Sequence, residues 1–155
     1  MSQESTLTAT ETITETTIEQ TRLKISQLSH HTDIQVRFCD TDAVGHLNNL
    51  SYGAYAETAR LNFFKDLGTE VKNLILARLA INFRVQTNFE QKVWVKTWVT
   101  KLGGSSIGVH HDIFADGVVV ADVESVVVHF DYVANRSSPM PQSLRGALEP
   151  YLNPS

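Results

Sequence analysis

Residues 37–52 read RFCDTDAVGHLNNLSY, which sets two carboxylates, a histidine and an asparagine pair close together, directly ahead of a long run with helical apolar spacing. A carboxylate in a short turn before a helix sits beside backbone N–H groups that lack intrahelical partners, at the positive end of the helix dipole. Negative charge developing on a substrate oxygen is favoured there, so the segment suits chemistry that passes through an oxyanion. An aspartate that only closes an Asx turn or caps a helix has the same surroundings, and for an arbitrary aspartate that is the commoner role.

Elements able to position this turn follow from periodicity. Residues 33–39 alternate Ile34, Val36 and Phe38 with polar Gln35 and Arg37, which predicts the first core strand. Across residues 50–67, Tyr52, Tyr55, Ala56, Ala59 and Phe63 recur at helical spacing, and Leu50, Ala54, Leu61, Phe64 and Leu67 widen the apolar face. A helix apolar over so much of its girth should be enclosed. Asn48 or Asn49 can cap its start, and Gly68 marks its end. Strands are expected over residues 77–89, 93–101, 106–115 and 118–131, with a break at Gly103-Gly104 and a hairpin turn at Asp116-Gly117. A short helix over residues 142–151 closes the chain. Short connections imply an antiparallel sheet, so the expected class is α+β: a long curved antiparallel sheet wrapped around one central helix. Residues 93–99 and 118–128 are apolar enough that, as sheet edges, they would pair with a second copy, which predicts a homodimer with a continuous sheet.

Composition narrows the partners. With 155 residues the chain fits one domain, expected over residues 30–155 behind a flexible tail of residues 1–29, in which residues 18–28 could form a short strand or helix. The net charge of −4 and scattered basic residues leave no stripe for nucleic acid. No apolar run approaches the ~20 residues of a membrane span, and no secretory signal pattern opens the chain. The single cysteine, Cys39, excludes an intramolecular disulfide and suits a reducing, cytoplasmic setting; beside Asp40 it reads as a small strand residue. His30-His31 and His110-His111 diverge if they lie in strands, so no metal site is expected. His129 and Asp131 share one side of their strand and read as a surface or interface pair.

Residues 38–49, aromatic-Cys-Asp-Thr-Asp-Ala-Val-Gly-His-Leu-Asn-Asn, followed by Tyr52 and YAETARLNFF, resemble hotdog-fold acyl-CoA thioesterases of the 4-hydroxybenzoyl-CoA thioesterase type. Acyl-ACP thioesterases are similar. The closing PMPQSLRGALE segment resembles an ending common in that group, and the likeness spans residues 34–152. It implies a hotdog fold, hydrolysis of an acyl-CoA or acyl-ACP thioester without a cofactor, and a site completed across a homodimer or within a homotetramer.

The same resemblance assigns roles. Asp42 maps onto the catalytic carboxylate, as nucleophile or general base, and a backbone N–H near Asn49 onto the donor that grips the thioester oxygen. Gly45 gives the turn its tight geometry. His46 could orient the thioester or carry a proton, against the alternative of a buried histidine bonding the turn. Asn48 could touch substrate or cap the helix, Tyr52 could line the site or pack, and Asp40 reads as structural, orienting the turn or pairing with Arg37. Glu57 is the position where a second carboxylate would be sought. Ser105, Ser106, Arg136, Ser137 and Ser138 are candidates for the phosphates of coenzyme A, each equally a solvated loop residue. Phe63, Phe64, Leu79, Trp94 and Trp98 are candidate walls of an acyl tunnel. A hotdog protein that binds acyl-CoA without turnover is the competing expectation, and hydration or dehydration of a thioester fits less well because His46 follows Asp42 by four residues with no intervening proline.

Overall fold

A computed structural model describes residues 28–153, so most of the expected tail lies outside the described residues. Strands β1 (His30–Ile34), β2 (Leu74–Phe83), β3 (Val93–Leu102), β4 (Ser106–Ala115) and β5 (Val118–Asp131) form an antiparallel sheet in the order β1-β3-β4-β5-β2, and the short β6 (Arg136–Ser137) pairs with the end of β5. Helix α1 (Asn49–Asp66) packs on one face of this sheet, and α2 (Gln142–Leu148) closes one end. This is the hotdog arrangement.

Alternation builds the inner face. Val93, Val95, Thr97 and Val99 on β3 are buried, and register sets them opposite Ala115, Ile113, His111 and Val109 of β4. Against them α1 presents Tyr52, Tyr55, Ala56, Ala59 and Phe63, the stripe expected from helical spacing. Each such large apolar side chain contributes about 1.5–3 kcal/mol on leaving water. The stripe is not alone: Leu50, Ala54 and Leu61, expected to be enclosed, are exposed, with Leu50 at 83%. One flank of the helix therefore lies open.

The interior is apolar except at one level. Thr97, His111 and Ser125 are buried side by side on β3, β4 and β5, with the His111 Nδ1 2.9 Å from the Thr97 hydroxyl and Nε2 3.3 Å from that of Ser125. From α1, the buried Arg60 adds its cation to this level, which separates an apolar cluster around Tyr52 and Val95 from another around Phe63 and Val109.

Several expectations need correction. The first strand covers His30–Ile34, not residues 33–39, because Phe38–Asp40 closes a 3₁₀ turn that leaves Phe38 82% exposed and puts Cys39 on the surface rather than in a strand. The strand expected over residues 77–89 is Leu74–Phe83; Arg84 and Val85 both donate to the Val120 carbonyl as the chain turns off the sheet. The apolar stretches of β3 and β5 are interior strands, and the edges are β1 and β2. Trp94 and Trp98 face away from α1, stacked on Phe114 and His110, so neither lines an interior tunnel. The hairpin turn stands as expected, with positive φ at Asp116 and Gly117.

Candidate active site

Asp40 anchors the turn ahead of α1. Its carboxylate is buried and accepts from the Arg37 backbone N–H at 2.8 Å, the Arg37 guanidinium at 2.8 Å and the Tyr55 hydroxyl at 2.9 Å. Burial alone would push its pKa up, but the Arg37 and Tyr55 bonds overcome that and hold it below the ordinary carboxylate value. The pairing with Arg37 expected from sequence is therefore present. Its backbone carbonyl in turn accepts from the Asn48 N–H and the Ser51 hydroxyl, both at 2.8 Å, which ties the turn to the start of α1. Tyr55→Phe removes one of these donors and is expected to lower stability by about 1–2 kcal/mol, measured by urea unfolding.

Asp42 sits on the exposed rim of this turn. Its Oδ1 accepts from the Val44 N–H at 2.9 Å and the His46 N–H at 3.1 Å, while its own N–H donates to the His46 carbonyl at 2.8 Å. The other oxygen, Oδ2, has no hydrogen bond among the described residues. The Val44 and His46 N–H groups, with the nearby His46 ring, hold the carboxyl below its ordinary pKa, so it is ionised near neutrality. Gly45 closes the turn at φ 86°, a conformation that a side chain would strain. The Asx-turn role and an unpaired oxygen thus coexist in one carboxylate.

The helix start completes the cluster. Asn48 is the N-cap, its side-chain oxygen accepting from the Leu50 N–H at 2.9 Å. The Asn49 N–H makes no hydrogen bond among the described residues and is free to donate. His46 is half-buried with Nδ1 3.4 Å from the Gln86 amide, and Tyr52 is buried in an edge-to-face contact with Phe83.

The remaining candidates lie elsewhere. His129 donates its N–H to the Ser105 carbonyl, Ser138 donates its own to His129, and the His129 Nδ1 is 2.8 Å from the Ser138 hydroxyl. Ser106, Ser137 and the exposed Arg136 belong to the same end of the sheet. A cavity of about 300 Å³ there joins His129 to Leu67 and Gly68, just past the C-terminus of α1. Eighteen residues of helix, about 27 Å, separate that end from Asn49, so one protomer does not bring the two groups together. Asp131 serves locally, accepting from the Val133 and Ala134 N–H groups. The cavities of about 300, 260 and 120 Å³ in the described chain all lie away from Asp42.

Sequence reasoning passed over Arg60 and weighed His111 only as a metal ligand. The available signal was positional: Arg60 stands on the buried side of the helical pattern, and His111 alternates with Val109 and Ile113.

The sequence pattern of the thioesterase-like superfamily matches residues 36–148, and the chain belongs to that superfamily. A predicted thioesterase from Bacillus stearothermophilus superposes with a TM-score of 0.77 at 28% identity, over 83% of this chain and 99% of that one. A thioesterase from Thermus thermophilus, complexed with coenzyme A and Zn, gives 0.72 at 26% identity, over 76% and 90% of the respective chains. At 16% identity a 1,4-dihydroxy-2-naphthoyl-CoA thioesterase from Synechocystis shares the fold, with a TM-score of 0.72 over 78% of this chain and 96% of that one. Among curated proteins, the uncharacterized protein YsmA of Bacillus subtilis (strain 168) is 29% identical over 92 residues, 56% of this chain. The chain spans 61% of the length of that relative. Together these likenesses show the superfamily and a fold shared with proteins named thioesterases. No helix among the described residues is long and apolar enough to cross a membrane.

Proposed function

We propose that the protein hydrolyses an acyl thioester of coenzyme A or of an acyl carrier protein to a free acid and a thiol. The observation that carries this reading is the divided Asp42 carboxylate: one oxygen is fixed by two peptide N–H groups and the other is unpaired, beside a helix start with a free N–H at Asn49. Oδ2 either attacks the thioester carbonyl, expelling the thiolate and leaving an acyl-aspartyl anhydride that water then hydrolyses, or takes a proton from a water that attacks the carbonyl directly; in both routes the Asn49 N–H stabilises the oxyanion. His46 orients the acyl group or carries a proton to the thiolate sulfur as its bond to the carbonyl carbon breaks. Gly45 and Asn48 keep the turn and helix start in place.

A second copy completes the site in this reading. β2 is an unpaired edge with exposed Leu76, Leu79 and Phe83, and two such edges joined antiparallel about a two-fold axis protect each other. That pairing moves the end of the partner that carries Ser105, Ser106, Arg136 and Ser138 toward Asp42, where those residues bind the phosphates of the carrier. The single cysteine suits a cytoplasmic protein.

Release of free thiol from a panel of aliphatic and aromatic CoA esters tests the activity. Binding of acyl-CoA with no thiol released assigns the protein to non-catalytic acyl-CoA binding instead. The double substitution Leu76→Glu, Leu79→Glu is expected to give a monomer by sedimentation velocity, with thiol release lost alongside. A variant that stays dimeric removes the β2 edge from the interface.

A further inference from the structure

Helix α1 and strand β2 run past one another, and in the single protomer the apolar flank between them is open, with the partner's β2 edge bordering it in the proposed dimer. Tyr52 meets Phe83 at 5.3 Å between ring centroids, and a Cβ on Gly53 would stand 3.7 Å from Ile81 and 3.8 Å from Leu79. Exposed Leu50 lies at one end of this strip, beside Asn49, and exposed Leu61 and Leu76 at the other. There the strip ends in a cavity of about 120 Å³, with Arg60 set among Phe64, Leu74, Leu76 and Val127 and with Glu57 also at its wall.

Arg60 is unusual for its position. It is only 6% exposed, its Nη1 has no hydrogen-bond partner, and it forms no ion pair among the described residues. A guanidinium held in such a place without a hydrogen-bonded anion is unfavourable, and a carboxylate brought in from outside offsets this through charge-assisted hydrogen bonds. The apolar walls require that the carboxylate arrive on a hydrocarbon stem. Phosphate fits poorly, since one cation faces it and Glu57 stands near. Glu57 itself is exposed, so water weakens its repulsion of an incoming anion.

We propose that this cavity receives the terminal carboxylate of a long acyl chain, which makes the substrate a monothioester of a dicarboxylic acid and Arg60 its specificity-determining residue; the inference rests on the reading of Asp42 as an acyl-thioester hydrolase. The cavity holds about four water-sized volumes, room for a carboxyl group and a short stretch of chain. Along α1, Arg60 lies about 16 Å beyond Asn49. A stretched chain of roughly a dozen carbons covers that distance.

The test compares kcat/KM for a graded series of ω-carboxyacyl-CoA esters with their unsubstituted counterparts. The wild-type protein should favour the carboxylated member of each pair at lengths near a dozen carbons, and Arg60→Gln should shrink that preference by about a hundredfold. Arg60→Lys should restore part of it. Absence of any preference in the wild type overturns the proposal, as does an equal loss on both members of a pair. Arg60→Gln that dissociates the dimer while keeping the preference also overturns it, by assigning Arg60 to a carboxylate of the second copy. Should no ester be hydrolysed, the hydrolase reading fails separately, and calorimetry with dodecanedioate decides this one. Binding lost in Arg60→Gln supports the site, and no binding to folded wild type removes it.

Discussion

Asp42→Asn is expected to lower thioester turnover by about 10²–10⁴-fold while the fold persists. Asparagine keeps an oxygen where Oδ1 accepts from the Val44 and His46 N–H groups, so the turn that positions the residue is retained. What disappears is the unpaired oxygen, replaced by an amide nitrogen that can neither attack a carbonyl nor take a proton. The comparison therefore isolates chemistry from structure. Circular dichroism matched to the wild type, with undiminished thiol release, would refute the assignment. The pH profile adds an independent check. Because peptide donors hold the Asp42 pKa below its ordinary value, the ionised form persists into mild acid, and the acid limb of activity should fall below the usual carboxylate range rather than within it.

The second large effect concerns stability. His111 is fully buried and its pKa is pushed down to about 3, first by loss of hydration and then by the nearby Arg60 cation and His110. In the unfolded chain the imidazole titrates near ~6.5, so between that value and about 3 the unfolded state binds a proton that the folded state refuses. Stability consequently drops as pH falls through this window, by about 1.4 kcal/mol per unit once the unfolded histidine is mostly charged. From pH ~6.5 to ~4.5 the loss amounts to about 2 kcal/mol, a large share of the stability of a domain this size. Urea unfolding of wild type and His111→Gln at those two pH values checks it. The wild type should lose about 2 kcal/mol more than the variant, and parallel losses would show that His111 is not held neutral. Measurement above the ordinary carboxylate range keeps Asp40 and Asp122 out of the comparison. Both have lowered pKa values, so their stabilisation is present above that range and fades only as pH falls through their folded values.

Strands β3, β4 and β5 were readable because buried and less buried positions largely alternate along them, the buried set being mostly valine and isoleucine with polar Thr97, His111 and Ser125 among them, and Asp116-Gly117 permits one tight turn between two of them. The start of the chain was harder. β1 is HHTDI, and only Thr32 is buried from it, so its register on Val93–Thr97 comes from backbone pairing rather than from any apolar alternation. The alternation over residues 33–39 misled because Asp40, fifteen residues from Tyr55 in sequence, binds both its hydroxyl and the Arg37 backbone and so folds Phe38 out to solvent. A contact of that span leaves no local trace. The site was legible to the same degree: the turn, the cap and the carboxylate are neighbours in sequence, whereas the polar level of Thr97, His111, Ser125 and Arg60 arises only when three strands and a helix align.

The two borders of the sheet differ in kind. β2 offers ten residues with bare leucine and phenylalanine side chains, while β1 offers five, with the exposed His31 and Asp33 bonded to each other at 2.8 Å. Once a pair of copies has used up the long greasy border, only short, water-loving margins remain on the outside. In the proposed dimer growth would then have nowhere to continue, and the assembly would end as a closed particle instead of extending into a fibre.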